Sequence, residues 1–205
     1  MPFMSNTTSL TTYKIKEKLE TENLNKTIIE ILEKHKINEN IEDSAGKLVS
    51  WTSVETPYVP NFETSSVVFG ASYIFALRVD EKKIPPSLIK KYCAQEQAKR
   101  IDYKEKKFLS INEKKRIKEK VIDELNAKIL PTPNVYEVVW EYEKNKLYFF
   151  TTKISANEDL ESFFGKTFNL NLIRIFPYTS IFLNSHLSSS IKDNLLNSEP
   201  TNFLR

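Results

Sequence analysis

The chain has 205 residues, enough for one sizeable core or two small ones without covalent staples, and 30 Lys/Arg against 27 Asp/Glu give it a formal net charge of +3. One cysteine (Cys93), two histidines (His35, His186) and three scattered glycines (Gly46, Gly70, Gly165) leave no disulfide framework, no set of converging zinc ligands and no glycine-rich phosphate loop. No apolar run approaches the roughly 20 residues that cross a bilayer.

No cofactor is expected. The N-terminal sequence MPFMSNTTSLTTYKIK lacks a basic segment followed by an apolar stretch, so the expected location is the cytoplasm.

In chain order, residues 9–19 alternate apolar and polar as a strand does, with Leu10, Tyr13 and Ile15 as the expected inward set. NLNKTIIEILEKHKI then has the spacing of a helix with Ile28, Ile31 and Leu32 on one face and His35 at its end. Residues 46–55 alternate again as a strand, and Pro57 and Pro60 make the following TPYVPNF a loop. The run VVFGASYIFALRV (67–79) predicts a bend at Gly70 and then a central strand buried on both faces.

Pro85 and Pro86 stop that strand and start a long helix over about 87–106. Ser110 followed by Glu113 is a capping-box pair that starts a second helix at Ile111, ending near Ile129 before Pro131 and Pro133. Residues 134–142 and 147–154 are rich in aromatic and β-branched side chains and predict a β-hairpin. Trp51, Trp140, Tyr142, Phe149 and Phe150 alternate in strands, which favours core packing over base stacking. Residues 155–168 suit a helix carrying Leu160, Phe163, Phe164 and Phe168, and 170–178 a last strand. The Ser/Asn-rich stretch 184–205 predicts a weakly ordered tail after a domain over 1–183. The element order predicts an α+β fold with a mostly antiparallel sheet and a projecting basic helical hairpin over about 87–129.

Charge is concentrated in that hairpin. Residues 78–128 hold 16 Lys/Arg and 9 Asp/Glu, a net of +7, whereas the rest of the chain nets −4. Residues 99–120 alone carry 10 basic against 4 acidic side chains. A run of charge is often just a solvated helix face. Here acids are scarce where exposed helices ordinarily alternate sign, so a phosphate backbone is the natural partner. No helix-turn-helix, zinc finger or aromatic RNA-binding motif is present, so binding is expected to be indifferent to base sequence. Two other readings compete. Asp80 and Lys82 could form an acid-x-Lys pair of a magnesium-dependent exonuclease, with Glu55 or Glu63 completing the site. Alternatively, the basic surface could dock an acidic protein.

Several stretches together resemble a known family. RVDEKKIPPSLIK (78–90), the Lys-rich helical pair with NEKKRIKEKV (112–121), ILP (129–131), the aromatic strand pair, NLIRIFPY (171–178) and Trp51 after GKLVS are similar, in order and spacing, to the bacterial recombination-associated RdgC proteins, also labelled as exonucleases. The resemblance covers roughly residues 10–180. It implies a nucleoid-associated protein that binds double-stranded DNA without strong sequence preference and restrains recombinase activity, working as a ring-shaped homodimer with a basic inner surface; longer members carry a further C-terminal portion. The candidate DNA-binding set is Lys82, Lys83, Lys99, Arg100, Lys104, Lys106, Lys107, Lys114, Lys115, Arg116, Lys118 and Lys120, of which Lys82 and the hairpin lysines map onto the family. The family's L-P-R-A-F after the second helix reads Leu130-Pro131-Thr132-Pro133-Asn134 here, so the contacts of that motif do not transfer.

Overall fold

A computed structural model describes residues 5, 7–37, 47–104, 108–183 and 187–197. Lys106, Lys107 and His186 lie outside these residues. The chain divides into two compact units, one of Met1–Ile37, Val49–Arg78 and Val135–Arg205, the other of Asn38–Leu48 and Val79–Asn134. The division falls inside the 1–183 segment that the sequence reads as one domain.

The elements run β1 (Thr11–Ile15), α1 (Leu24–Lys34), β2 (Lys47–Thr52), α2 (Thr64–Val67), β3 (Val68–Phe69), β4 (Ser72–Glu81), α3 (Pro86–Lys104), α4 (Ile111–Lys128), β5 (Thr132–Glu141), β6 (Lys146–Phe149), α5 (Ile154–Phe168), β7 (Leu172–Ile175), α6 (Pro177–Leu183) and α7 (Ser189–Leu196). The strands form one sheet of order β2-β4-β5-β6-β1-β7, with β3 paired to β4. Strand β1 is antiparallel to β6 and β7, as are β3 to β4 and β5 to β6. The fold is α+β, as the element order predicts.

In the first unit the register builds the core. Trp140 pairs with Leu147, Leu147 with Tyr13, and Tyr13 with Arg174, so one row of side chains crosses four strands. Helix α5 covers that row with Asn157, Leu160, Glu161, Phe164 and Phe168, which recur at helical spacing. Phe164 and Phe168 lie 5.4 and 5.3 Å from the Trp140 ring, and Trp51 and Phe75 stack edge-on at 5.1 Å beside them. Trp51, Trp140 and Phe149 are therefore buried core residues.

One polar cluster sits in this core. Tyr13 Oη lies 2.6 Å from Asn157 Oδ1 and 2.9 Å from Glu161 Oε1, and the Arg174 guanidinium donates to the same Glu161 oxygen at 2.6 Å. Burial, followed by its contact with the Glu161 carboxylate, pushes the Tyr13 phenol well above the ordinary value of 10.0. The folded state thus holds its proton to higher pH than the unfolded chain, so this contribution to stability is complete below pH 10 and declines as pH rises beyond it. Tyr13→Phe is expected to destabilise by about 1–2 kcal/mol at neutral pH, because buried Asn157 Oδ1 loses a donor. In urea titrations the difference between the two proteins should shrink as pH rises past the ordinary phenol value; a constant difference would refute the assignment.

Several expectations are corrected. Leu10 is exposed, because in a period-two strand it is out of phase with Tyr13 and Ile15, which are buried. Gly70 makes a full reversal rather than a bend: its φ of +60° is open to glycine, and Val68 pairs with Tyr73 across it. The last strand ends at Ile175. Pro177 begins α6, and Thr179 Oγ1 accepts the Phe176 N–H at 2.8 Å. Within the expected tail, Ser189–Leu196 forms α7, capped by Ser188, whose Oγ accepts the Ile191 N–H at 3.4 Å. His35 ends α1 as expected, its N–H bonded to the Ile31 carbonyl at 3.1 Å.

Candidate nucleic-acid interface

The second unit is built on helices α3 and α4, which pack against each other. Ile117, Val121 and Leu125 recur every four residues on α4 and are buried with Leu109. Leu88, Ile89, Cys93 and Ile101 pack against them from α3, together with Ile84 and Ile129. The apolar seam therefore runs the length of the pair. Leu109 and Ile117 carry this core to the turn.

The capping box forms as predicted. Glu113 N–H donates to Ser110 Oγ at 3.3 Å, and Ser110 N–H to Glu113 Oε2 at 2.9 Å. Ser110→Ala is expected to lower stability by about 1 kcal/mol, read as a shifted urea midpoint of the helical signal. No shift would show that the cap is satisfied by water instead.

The candidate cations separate into three groups. Lys82 is half-buried and donates from Nζ to the Asn126 carbonyl at 3.2 Å. That carbonyl belongs to the last turn of α4, which has no intrahelical donor, so Lys82 caps this helix. A second group is paired with acids. Lys83 lies 3.3 Å from Glu81, Lys99 2.8 Å from Glu96, Lys115 4.0 Å from Glu119 and Lys120 3.3 Å from Glu124. The hydrogen bond from Lys99 holds the Glu96 carboxyl below its usual range, and the fields of Lys120 and Arg100 act the same way. The Lys99 ammonium is raised in turn, by Glu96 first and by Glu124 to a smaller extent.

The third group is Lys114, Arg116 and Lys118, which are exposed and, among the described residues, pair with no carboxylate. Lys114 and Lys118 share one side of α4, while Arg116, two residues from each, projects about 160° away. The unpaired charge thus surrounds the first turns of α4 and does not form a single stripe. Arg100 is half-buried on α3; Lys104 lies in α3, with its side chain outside the described set.

This sorting depends on acids beyond residues 99–120. Glu96 and Glu124 fall just outside that window, yet their i,i+3 and i,i+4 spacings to Lys99 and Lys120 were present in the sequence. For the competing nuclease reading, Asp80 is buried in β4, and among the described residues no group of three or more His, Cys, Asp or Glu is placed to hold a metal ion. Among the described residues no helix is long and apolar enough to cross a membrane.

Comparison with family models and with curated proteins finds no match to this chain.

Proposed function

We infer that the α3/α4 hairpin binds the phosphate backbone of nucleic acid, duplex DNA first, without reading base sequence. The observation that carries this reading is the set Lys114, Arg116 and Lys118, exposed on the first turns of α4 and unpaired with any carboxylate among the described residues. The net of +7 over residues 78–128, against −4 elsewhere, supports it by concentrating the long-range attraction on this unit. Phosphate contacts of this kind supply affinity and little sequence information. The resemblance of residues 78–90, 112–121, 129–131 and 171–178 to the recombination-associated RdgC proteins extends the reading to a nucleoid role, homodimerisation and restraint of a recombinase.

The test is a fluorescence-anisotropy titration of labelled duplex DNA at several salt concentrations, with solution mass measured alongside. Affinity that falls steeply with salt supports backbone binding; a flat response overturns it. Capture of an acidic protein that short duplex DNA fails to displace would favour the protein-docking reading instead.

A further inference from the structure

The turn of the hairpin exposes two large apolar side chains. Phe108 is 85 % and Ile111 86 % exposed, whereas Leu109 between them is buried in the α3/α4 core. Ser110, also between them, is fixed by both hydrogen bonds of the capping box. The exposure is therefore built in: the buried Leu109 and the cap hold the backbone while the residues on either side face water. Lys114, Lys115 and Lys118 follow within two turns on α4, so the apolar pair is set among cations.

We propose that Phe108 is a base-stacking residue, and that the substrate of this hairpin is nucleic acid with unpaired bases next to duplex, as at an overhang or junction. The proposal rests on the backbone-binding reading above. Charge complementarity selects an anionic partner. Among anionic partners, a lipid surface suits a helix with a free apolar face. The apolar stripe of α4, Ile117, Val121 and Leu125, is consumed in its own core, which leaves Phe108 and Ile111 exposed at the turn rather than a free helix face. A single exposed ring is what stacking requires, since every base presents a π-face to an aromatic side chain. Stacking on an already unpaired base avoids the unstacking that a wedge driven into intact duplex must overcome. Overhangs and junctions offer such a base beside the duplex phosphates that Lys114 and Lys118 would hold.

Two measurements test this on the full chain. In the first, Phe108→Trp places an indole in water, whereas Trp51 and Trp140 are buried. After subtraction of the parent signal, its emission should be quenched as an oligonucleotide with a single-stranded overhang is added, with the same midpoint as anisotropy. In the second, the parent chain should bind the overhang duplex more tightly than blunt duplex, and Phe108→Ala should abolish that preference, a loss of about fivefold to a hundredfold, while the salt slope stays unchanged. Equal affinity for blunt and overhang duplex, or salt-dependent binding with unquenched emission, overturns the stacking role and leaves the backbone reading standing. A blue shift on vesicles of phosphatidylserine and phosphatidylcholine without quenching by DNA overturns it in favour of a membrane surface. Absence of oligonucleotide binding by any of the chains removes both readings together.

Discussion

Replacing Lys114, Arg116 and Lys118 together by Glu is expected to abolish duplex binding while leaving the fold intact. Each side chain is exposed on α4 and carries no ion pair among the described residues, so little stability is at stake. The electrostatic change is large, because three attractions to phosphate become three repulsions. Counterion release sets a magnitude for the parent protein. Three neutralised phosphates at about 0.9 each give a slope of log K against log salt near −3, or about a 40-fold loss between roughly 50 and 200 mM salt. A slope near −5 or steeper would mean that the paired lysines Lys99, Lys115 and Lys120 leave their carboxylates to join the contact. A variant that binds like the parent at every salt concentration would end the assignment of this helix. Circular dichroism on the same samples separates lost binding from lost structure.

The largest effect on stability is expected at Phe168→Ala. Its ring lies 4.6 Å from Phe164, 5.3 Å from Trp140, 5.8 Å from Trp51 and 6.2 Å from Phe75, so four aromatic neighbours lose a partner at once. Truncation of a buried phenylalanine costs about 3–5 kcal/mol through lost transfer energy and the cavity left behind. That is a large part of the roughly 5–15 kcal/mol that holds a domain folded. Urea unfolding followed by tryptophan emission reads the change directly, because both tryptophans face the altered site. A midpoint within experimental error of the parent would show that the cluster repacks. Phe168→Leu is the control, keeping most of the volume.

Features governed by near neighbours in the chain were open to sequence reading. The capping box needs only Ser110 and Glu113, three residues apart, and the start of α4 follows from it. The seam of α4 follows from apolar residues four apart, and the burial of both faces of β4 from an unbroken apolar run. His35 as a helix end follows from the pattern preceding it. Leu10 faces out because its parity is opposite to that of Tyr13 and Ile15, and α7 is masked in the sequence by the polar composition around its Ser188 cap. The candidate site was legible as a concentration of charge but not as a set of available cations.

The order of amino acids by itself determined the α+β class, the limits of the two long helices and the polarisation of charge toward residues 78–128, because each depends on spacing or composition within a few turns. Only the tertiary structure decided which charges are available and which are engaged. Lys82 caps α4 through Asn126, a residue 44 positions away. The Tyr13, Asn157, Glu161 and Arg174 cluster joins β1 to a helix and a strand well over a hundred residues further on. Leu109 turns inward while its neighbour Phe108 stays in water. Such choices depend on which distant backbone arrives to accept a hydrogen bond or exclude water, and local pattern carries no record of that arrival.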